Sequence, residues 1–440
     1  MNVYFSMTIN TKFRTTTLIL LIIVLALAVT VCQPPGRADA APTSVVNTAS
    51  VYSYTAMTRD IQELAARYPE LVTYHSIGKT AYGREIWAVK LGYGEASVFI
   101  NGSHHAREWL TSTLNMYMLE QYAAAYQENR KIGTYNVRQI LNETSIWFVP
   151  MVNPDGVTLQ QSGLKAFPQT AWKALVQMNG GSRSFLRWKA NAQGIDPNRQ
   201  YPADWAHIWN SPGSPSWMNY KGNRPLQTAE NQSLVQFTYQ IDPEIALSYH
   251  SAGRILFWNF HTLPQNLMRD KRLADIVSAI TGYTQVKPTA NPSGGGYTDW
   301  FITTFGRPAF TPEIGVKQGE TSLPLSAFQA EWSRNRTLGL RIADEGYQLW
   351  LNKHRYTRGA KALSGRIQLN QPAAMYNENN FRSASGASVP AQTVQVLAQS
   401  GQWYKINTWL GAKWIYLPGK VELMQENENT PVISDTGSTK

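Results

Sequence analysis

Short apolar runs alternate with longer, helically periodic segments along some 300 residues of this chain, and few architectures accommodate that alternation. From Met57 to Tyr68 the residues Ile61, Leu64, Ala65 and Tyr68 recur at helical spacing, and Pro69 stops the helix. Ala96–Ile100, Ile146–Val149 and Ile245–Tyr249 read as buried strands, Leu110–Tyr126 as a long helix and Leu338–Leu351 as a closing helix. The expectation is an α/β domain over residues 54–354: a mixed, largely parallel sheet with helices on both faces. After about Lys353 the pattern changes. Thr393–Leu397, Trp403–Ile406 and Lys413–Leu417 are short strand-like runs separated by Gly401, Gly411 and Pro418. They predict a small all-β domain over residues 355–425, before a polar tail at 426–440.

With 43% hydrophobic and 16% charged residues, the chain has enough apolar surface for a full core and too little charge for disorder. Its N-terminus reads as a processing segment. Lys12 and Arg14 precede an apolar run from Leu18 to Val31, and Ala38-Asp39-Ala40 is a small-x-small cleavage site. That order predicts a signal peptide removed after Ala40 and a secreted or wall-associated protein with no membrane anchor, since the run falls short of the roughly 20 residues a bilayer needs. Residues 41–53 are expected to be a flexible lead-in.

Cys32 is the sole cysteine, so the processed chain has no thiol, which excludes disulfides, cysteine catalysis and thiolate metal sites. Any metal must use His, Asp or Glu. The net charge is +11, and residues 1–40 carry +2 of it (Lys12, Arg14 and Arg37 against Asp39), leaving about +9. Such a charge favours polyanions or serves solubility. No basic run or aromatic-basic module points to nucleic acid, whereas an anionic cell wall suits an exported chain.

The strongest local signal is Ser103-His104-His105-Ala106-Arg107-Glu108-Trp109, directly after the strand ending at Ile100. His105 and Glu108, three residues apart at a strand-to-helix turn, can face one ion. A hydrolytic zinc site needs three protein ligands and an open position. His250, closing the apolar run from Ile245, offers the third, because ligands at the carboxyl ends of neighbouring strands converge in one crevice. His104 is one residue out of register and counts as a neighbour. His75, His207, His261 and His354 lack the strand-end context.

These residues resemble the carboxypeptidase A-like zinc peptidases, and the likeness runs in order along most of residues 54–350. His105-Ala106-Arg107-Glu108-Trp109, Asn153-Pro154-Asp155-Gly156, Asp196-Pro197-Asn198-Arg199, His250-Ser251 and Thr311-Pro312-Glu313-Ile314-Gly315 carry it. The resemblance implies one zinc ion on His105, Glu108 and His250, with Glu313 as the general base toward water. It implies substrate contact by Arg107 and a carboxylate held by Asn198 and the fork of Arg199. The oxyanion partner is an Arg following a Trp in the family. Here Lys189 follows Trp188, so either Lys189 takes the role or Arg187 reaches it from the other side.

Digestive members have a tyrosine eight residues before an Asp-Trp pair. Counting back from Asp299-Trp300 gives Asn291, and Tyr297, beside Gly294-Gly295-Gly296, is the expected substitute. Thr298 occupies the position that sets side-chain preference, and is neither acidic nor large and apolar. The short lead-in, absent disulfides and added β domain resemble the bacterial branch, which includes peptidases acting on γ-D-glutamyl-diamino acid bonds in peptidoglycan stem peptides. The C-terminal segment resembles bacterial SH3-like domains through Trp403-Tyr404-Lys405-Ile406 and Gly411-Ala412-Lys413-Trp414-Ile415. Its aromatics, with Lys405 and Lys413, either grip wall peptide or glycan or form the domain's own core. The expected protein is a monomeric zinc peptidase cutting stem peptides. The alternatives are a general extracellular metallocarboxypeptidase and an inert wall-binding protein.

Overall fold

The computed structural model describes residue 1 and residues 44–354, 360–419 and 421–424. The expected leader, the start of the lead-in and the polar tail therefore lie outside the described residues, as does the segment joining the two sheets. No helix among the described residues is long and apolar enough to cross a membrane.

Eight strands form the larger sheet: β1 (Val72–Lys79), β2 (Glu85–Leu91), β3 (Ala96–Gly102), β4 (Thr144–Val149), β5 (Ala246–Ser251), β6 (Ile255–Phe257), β7 (Thr284–Gln285) and β8 (Ala309–Ile314). Their spatial order is β1-β2-β4-β3-β5-β8-β6-β7. The central four, β4, β3, β5 and β8, run parallel, while the β1–β2, β2–β4 and β8–β6 pairs are antiparallel.

Alternation along the strands divides their side chains between two cores. Val98, Ile100, Leu247, Tyr249 and Phe310 enter a core shared with helices α1 (Tyr54–Arg67), α2 (Leu110–Gln127) and the C-terminal α5 (Leu338–Lys353). Phe99, Ala246 and Ala309 enter the opposite core with α3 (Ala229–Ile241) and α4 (Tyr297–Phe305). Helices on both faces are what the parallel strands require. Because both faces are covered, the strands are near-continuously apolar, and β3 is buried along its whole length. The long α2 is buried nearly all round, so truncating Leu114 or Leu119 should cost about 2–5 kcal/mol.

The lead-in is not loose where it is described. Val45 and Val46 are buried, and their N–H groups donate to the Glu120 carboxylate at 2.6 and 3.1 Å. Ser53 then caps α1, its hydroxyl accepting from Ala56 N at 3.1 Å.

The second sheet is six-stranded and wholly antiparallel: β9 (Lys361–Gln368), β10 (Ala373–Tyr376), β11 (Ala384–Val389), β12 (Thr393–Ser400), β13 (Trp403–Thr408) and β14 (Gly411–Tyr416), in the order β9-β12-β13-β14-β10-β11. Ile367, Met375, Val394, Val396, Ile406 and Ile415 fill its interior. Trp403 and Trp414, at 7% and 8% exposure, pack with Ala398 and the rings of Tyr376, Phe381 and Tyr416. They are core, so neither can be the wall-gripping surface. Lys413 is engaged as well, donating to Asn377 Oδ1 at 2.7 Å. The exposed aromatic of this sheet is Trp409, at 64%, on the β13–β14 turn.

Candidate metal centre

The parallel strands deliver the site residues at their carboxyl ends. After β3 the chain turns through Ser103, whose φ of 52° is a left-handed conformation that non-glycine residues rarely adopt. Ser103 N donates to Thr111 Oγ1 at 2.8 Å and its hydroxyl pairs with Ser112 Oγ at 2.7 Å, which holds the turn in place. His105 then precedes a short 3₁₀ turn, Ala106–Glu108, that swings Glu108 back toward it. His250 is the penultimate residue of β5, and Glu313 is its register partner on β8.

His105, Glu108 and His250 are all buried, with one ligand atom from each lying within 4.8 Å of the others. His105 Nδ1 is 2.8 Å from Glu108 Oε1, and His250 Nδ1 is 2.8 Å from Glu108 Oε2. The two imidazole Nδ1 atoms are 3.0 Å apart. On its other side His105 Nε2 faces Asp196 Oδ1 at 3.2 Å. An ionised carboxylate only accepts, so Nε2 carries the proton of a neutral His105. Its Nδ1 lone pair then points at another carboxylate, an arrangement that a cation between them makes favourable. Two nitrogens and a carboxylate around one point, with a groove alongside, match the donor set of a hydrolytic zinc site.

Burial would raise Glu108, but the His105 and His250 rings outweigh it and hold the carboxyl far below its usual range. Asp196 is likewise held well down against burial, by His105 and then Lys189. It orients His105, and sequence reasoning saw it merely as a member of the Asp-Pro-Asn-Arg motif. Burial, then the Glu108 charge, push Glu313 up to about 8, opposed by the Lys189 ammonium.

His105, Lys189, Asn198, Arg199, Thr298 and Glu313 line one groove of about 390 Å³, walled by Trp209, Phe257, Trp258 and Phe260. Lys189 Nζ sits 3.7 Å from Asp196 Oδ2. Arg187 is spent elsewhere, donating to Asn179 O at 3.0 Å and stacking over Trp217 at 4.2 Å. Of the two basic residues left open by the sequence, Lys189 is the one at the groove. Arg107 is not among the groove's lining residues and donates to Arg187 O at 3.2 Å.

Tyr297 does not take up the expected substrate contact. It is 0% exposed, packs on Phe99 and Tyr201, and pairs its hydroxyl with Thr238 Oγ1 at 3.2 Å. As the first residue of α4 it points into the core beneath the glycine loop. Thr298, next in line, does reach the groove and pairs with Thr311 Oγ1 at 2.9 Å.

The zinc carboxypeptidase family (peptidase M14) matches residues 57–338. The chain belongs to that family. Its members are zinc metallopeptidases, and the His105–Glu108–His250 cluster fits their single ion. The chain is 32% identical over 300 residues to gamma-D-glutamyl-L-diamino acid endopeptidase 1 of Lysinibacillus sphaericus, covering 68% of this chain and 73% of that one. It is 26% identical over 270 residues to carboxypeptidase B of Rattus norvegicus, covering 58% and 60%. Among solved structures, bovine thrombin-activatable fibrinolysis inhibitor shares the fold, with a TM-score of 0.53 at 17% identity over 69% of this chain and 99% of that one.

Proposed function

We propose that this family member is an exported endopeptidase that cuts the γ-D-glutamyl-diamino acid bond of peptidoglycan stem peptides. The observation that carries the reading is the 32% identity, over 300 residues, to a γ-D-glutamyl-diamino acid endopeptidase. The groove chemistry supports it. The Thr298–Thr311 pair offers neither an acidic group for a basic end residue nor a large apolar surface for an aromatic one. Arg199 and Asn198 in the same groove suit a free carboxylate, which a diamino acid carries inside a stem peptide as well as at its end.

Zinc, when bound by His105, Glu108 and His250, supplies Lewis acidity that lowers the pKa of water to roughly 7. The chain's own residues do the rest. Arg199 and Asn198 anchor the substrate carboxylate and so fix the scissile carbonyl along the groove. Glu313, with its raised proton affinity, takes a proton from the attacking water onto its carboxylate and passes it to the leaving amine. Lys189 donates a hydrogen bond to the carbonyl oxygen as negative charge develops there. The aromatic walls narrow the groove and exclude bulk water.

The deciding experiment incubates the purified protein with peptidoglycan and, separately, with plain peptides. Release of diamino-acid fragments, abolished by a strong chelator and restored by zinc, is the expected result. Release of C-terminal residues from plain peptides with intact peptidoglycan would make it a general metallocarboxypeptidase.

A further inference from the structure

His104 is 0% exposed, adjoins the ligand His105 and ligates nothing. Its Nε2 lies 2.8 Å from the Tyr201 hydroxyl and its Nδ1 3.4 Å from Ser248 Oγ, while its ring stacks on that of His250 with centroids 5.5 Å apart. Ser248 Oγ in turn donates to Asn101 Oδ1 at 2.7 Å. Asn101 belongs to β3 and Ser248 to β5, the strands that lead into the two histidine ligands.

Donor and acceptor capacity fixes the direction of this chain. The Asn101 carbonyl oxygen only accepts, so Ser248 spends its single proton there. Ser248 Oγ must then accept from His104 Nδ1–H, which leaves His104 Nε2 as a lone pair for the Tyr201 O–H. Tyr201 itself closely follows the Asn198-Arg199 pair in the chain, and its N–H donates to Gly295 O at 3.1 Å. The same turn is pinned from α3, where Asn231 Nδ2 donates to Pro197 O at 2.8 Å and Asn231 Oδ1 accepts from Thr228 Oγ1 at 2.6 Å. Pro197 sits between Asp196, which orients His105, and the groove residues Asn198 and Arg199.

We propose that His104 is a positioning residue. Its Nδ1-protonated imidazole ties the strand ends bearing His105 and His250, through Tyr201, to the turn bearing Asp196, Asn198 and Arg199. It thereby sets the distance between the metal centre and the carboxylate anchor. The substrate half of this inference rests on the carboxylate role proposed above for Asn198 and Arg199; the metal half does not.

The chemistry distinguishes a specific link from filled space. Gln at this position still offers one donor and one acceptor, whereas Leu offers neither at similar volume. The test compares His104→Leu, His104→Gln and Tyr201→Phe as full chains, well below their unfolding temperatures. Zinc affinity is measured by competition with a chromogenic chelator, and KM and kcat on substrates with a free or an amidated carboxylate. For Leu and Phe the zinc dissociation constant should rise at least about tenfold, as loss of outer-shell partners does. Their KM should rise for the free-carboxylate substrate and much less for the amidated one, while Gln recovers most of both. Leu and Phe variants with unchanged zinc affinity and unchanged KM overturn the proposal, as does a Gln variant no better than Leu. Should the Leu variant fail to fold, Tyr201→Phe removes one oxygen atom and decides alone. The chelator measurement involves no substrate, so failure of the peptidoglycan assay leaves it standing.

Discussion

The two sheets of this protein bury opposite kinds of side chain. At the carboxyl ends of β3 and β5 the most deeply buried residues include Asn101, Ser103, His104, Ser248 and His250, every one polar. Inside the small C-terminal sheet they are Ile367, Met375, Val396, Ile406 and Ile415, and its polar residues face outward along each alternating strand. A polar group taken from water without a partner costs about 1–3 kcal/mol, so a sheet built for stability alone has no reason to collect them. The large sheet does collect them, and pairs most of them with each other. His250 Nε2, Asn101 Nδ2 and both polar atoms of the Asn115 side chain are buried without a partner among the described residues. That concentration marks where the fold gives up cohesion for chemistry.

The largest test of this contrast is Glu313→Gln. The substitution is nearly isosteric and leaves His105, Glu108 and His250 in place. Bound zinc measured by elemental analysis should stay at one per chain while kcat falls by roughly 10²–10⁴. A variant with full turnover would show that the half-buried carboxyl on β8 is not the proton carrier. It would also reduce the buried polar set around it to a structural feature.

What the sequence disclosed follows the same division. Apolar runs located β3, β4 and β5, because strands covered on both faces must show them, and short strand-like runs located β12, β13 and β14 of the small sheet but not β9, β10 or β11. Motif spacing located His105, Glu108 and His250, because ligands at parallel strand ends have little freedom. Direction was harder to read. Tyr297 follows a glycine loop and looked able to reach a substrate, yet as the first residue of α4 it turns inward while Thr298 turns to the groove. His104 differs from His105 by one position, and sequence alone gave no sign of a pairing with Tyr201, 97 residues away. For Trp403 and Trp414 the sequence left a binding surface and a core position both open. They lie on strands that alternate into a core, whereas Trp409 lies on the turn between those strands. Lys189 rather than Arg187 reaches the groove because the Arg187 guanidinium is taken by Asn179 and Trp217.

A second test lies where the two sheets meet. Arg382, between β10 and β11, binds Asp344 of α5 at 2.5 Å and approaches Glu143 at 3.6 Å. Glu143 is pushed up to about 7 by burial, against Gln139 and Arg382. Its folded pKa lies above the unfolded value near 4.5, so the folded state holds more protons in between, and stability falls as pH rises from about 4.5 to 7. Burial raises Glu230 to about 7 as well, so the two carboxyls share the effect. Glu143→Gln should therefore flatten part of the fall in unfolding free energy between pH 5 and pH 8 by an amount on the order of 1–3 kcal/mol, leaving kcat/KM unchanged. An identical pH profile in wild type and variant would show that the carboxyl does not ionise inside this contact.

The smallest expected effect concerns the small sheet's outer surface. If wall contact is made there, Trp409 is the side chain able to make it, because Trp403 and Trp414 are enclosed. Its ring stands beside Gln392, Gln395, Asn407 and Thr408, neutral groups that match the hydroxyls and amides of a glycan strand better than a charged peptide. A single exposed aromatic contact is worth about 0.5–1.5 kcal/mol. Trp409→Ala should therefore weaken co-sedimentation with insoluble peptidoglycan up to about tenfold. Hydrolysis of soluble muropeptides should be untouched, since the groove is formed by the other sheet and its loops. Equal sedimentation of the two proteins would leave the small sheet without this role. A parallel loss on soluble substrate would instead mean that the two sheets are energetically coupled, which the separation of their cores argues against.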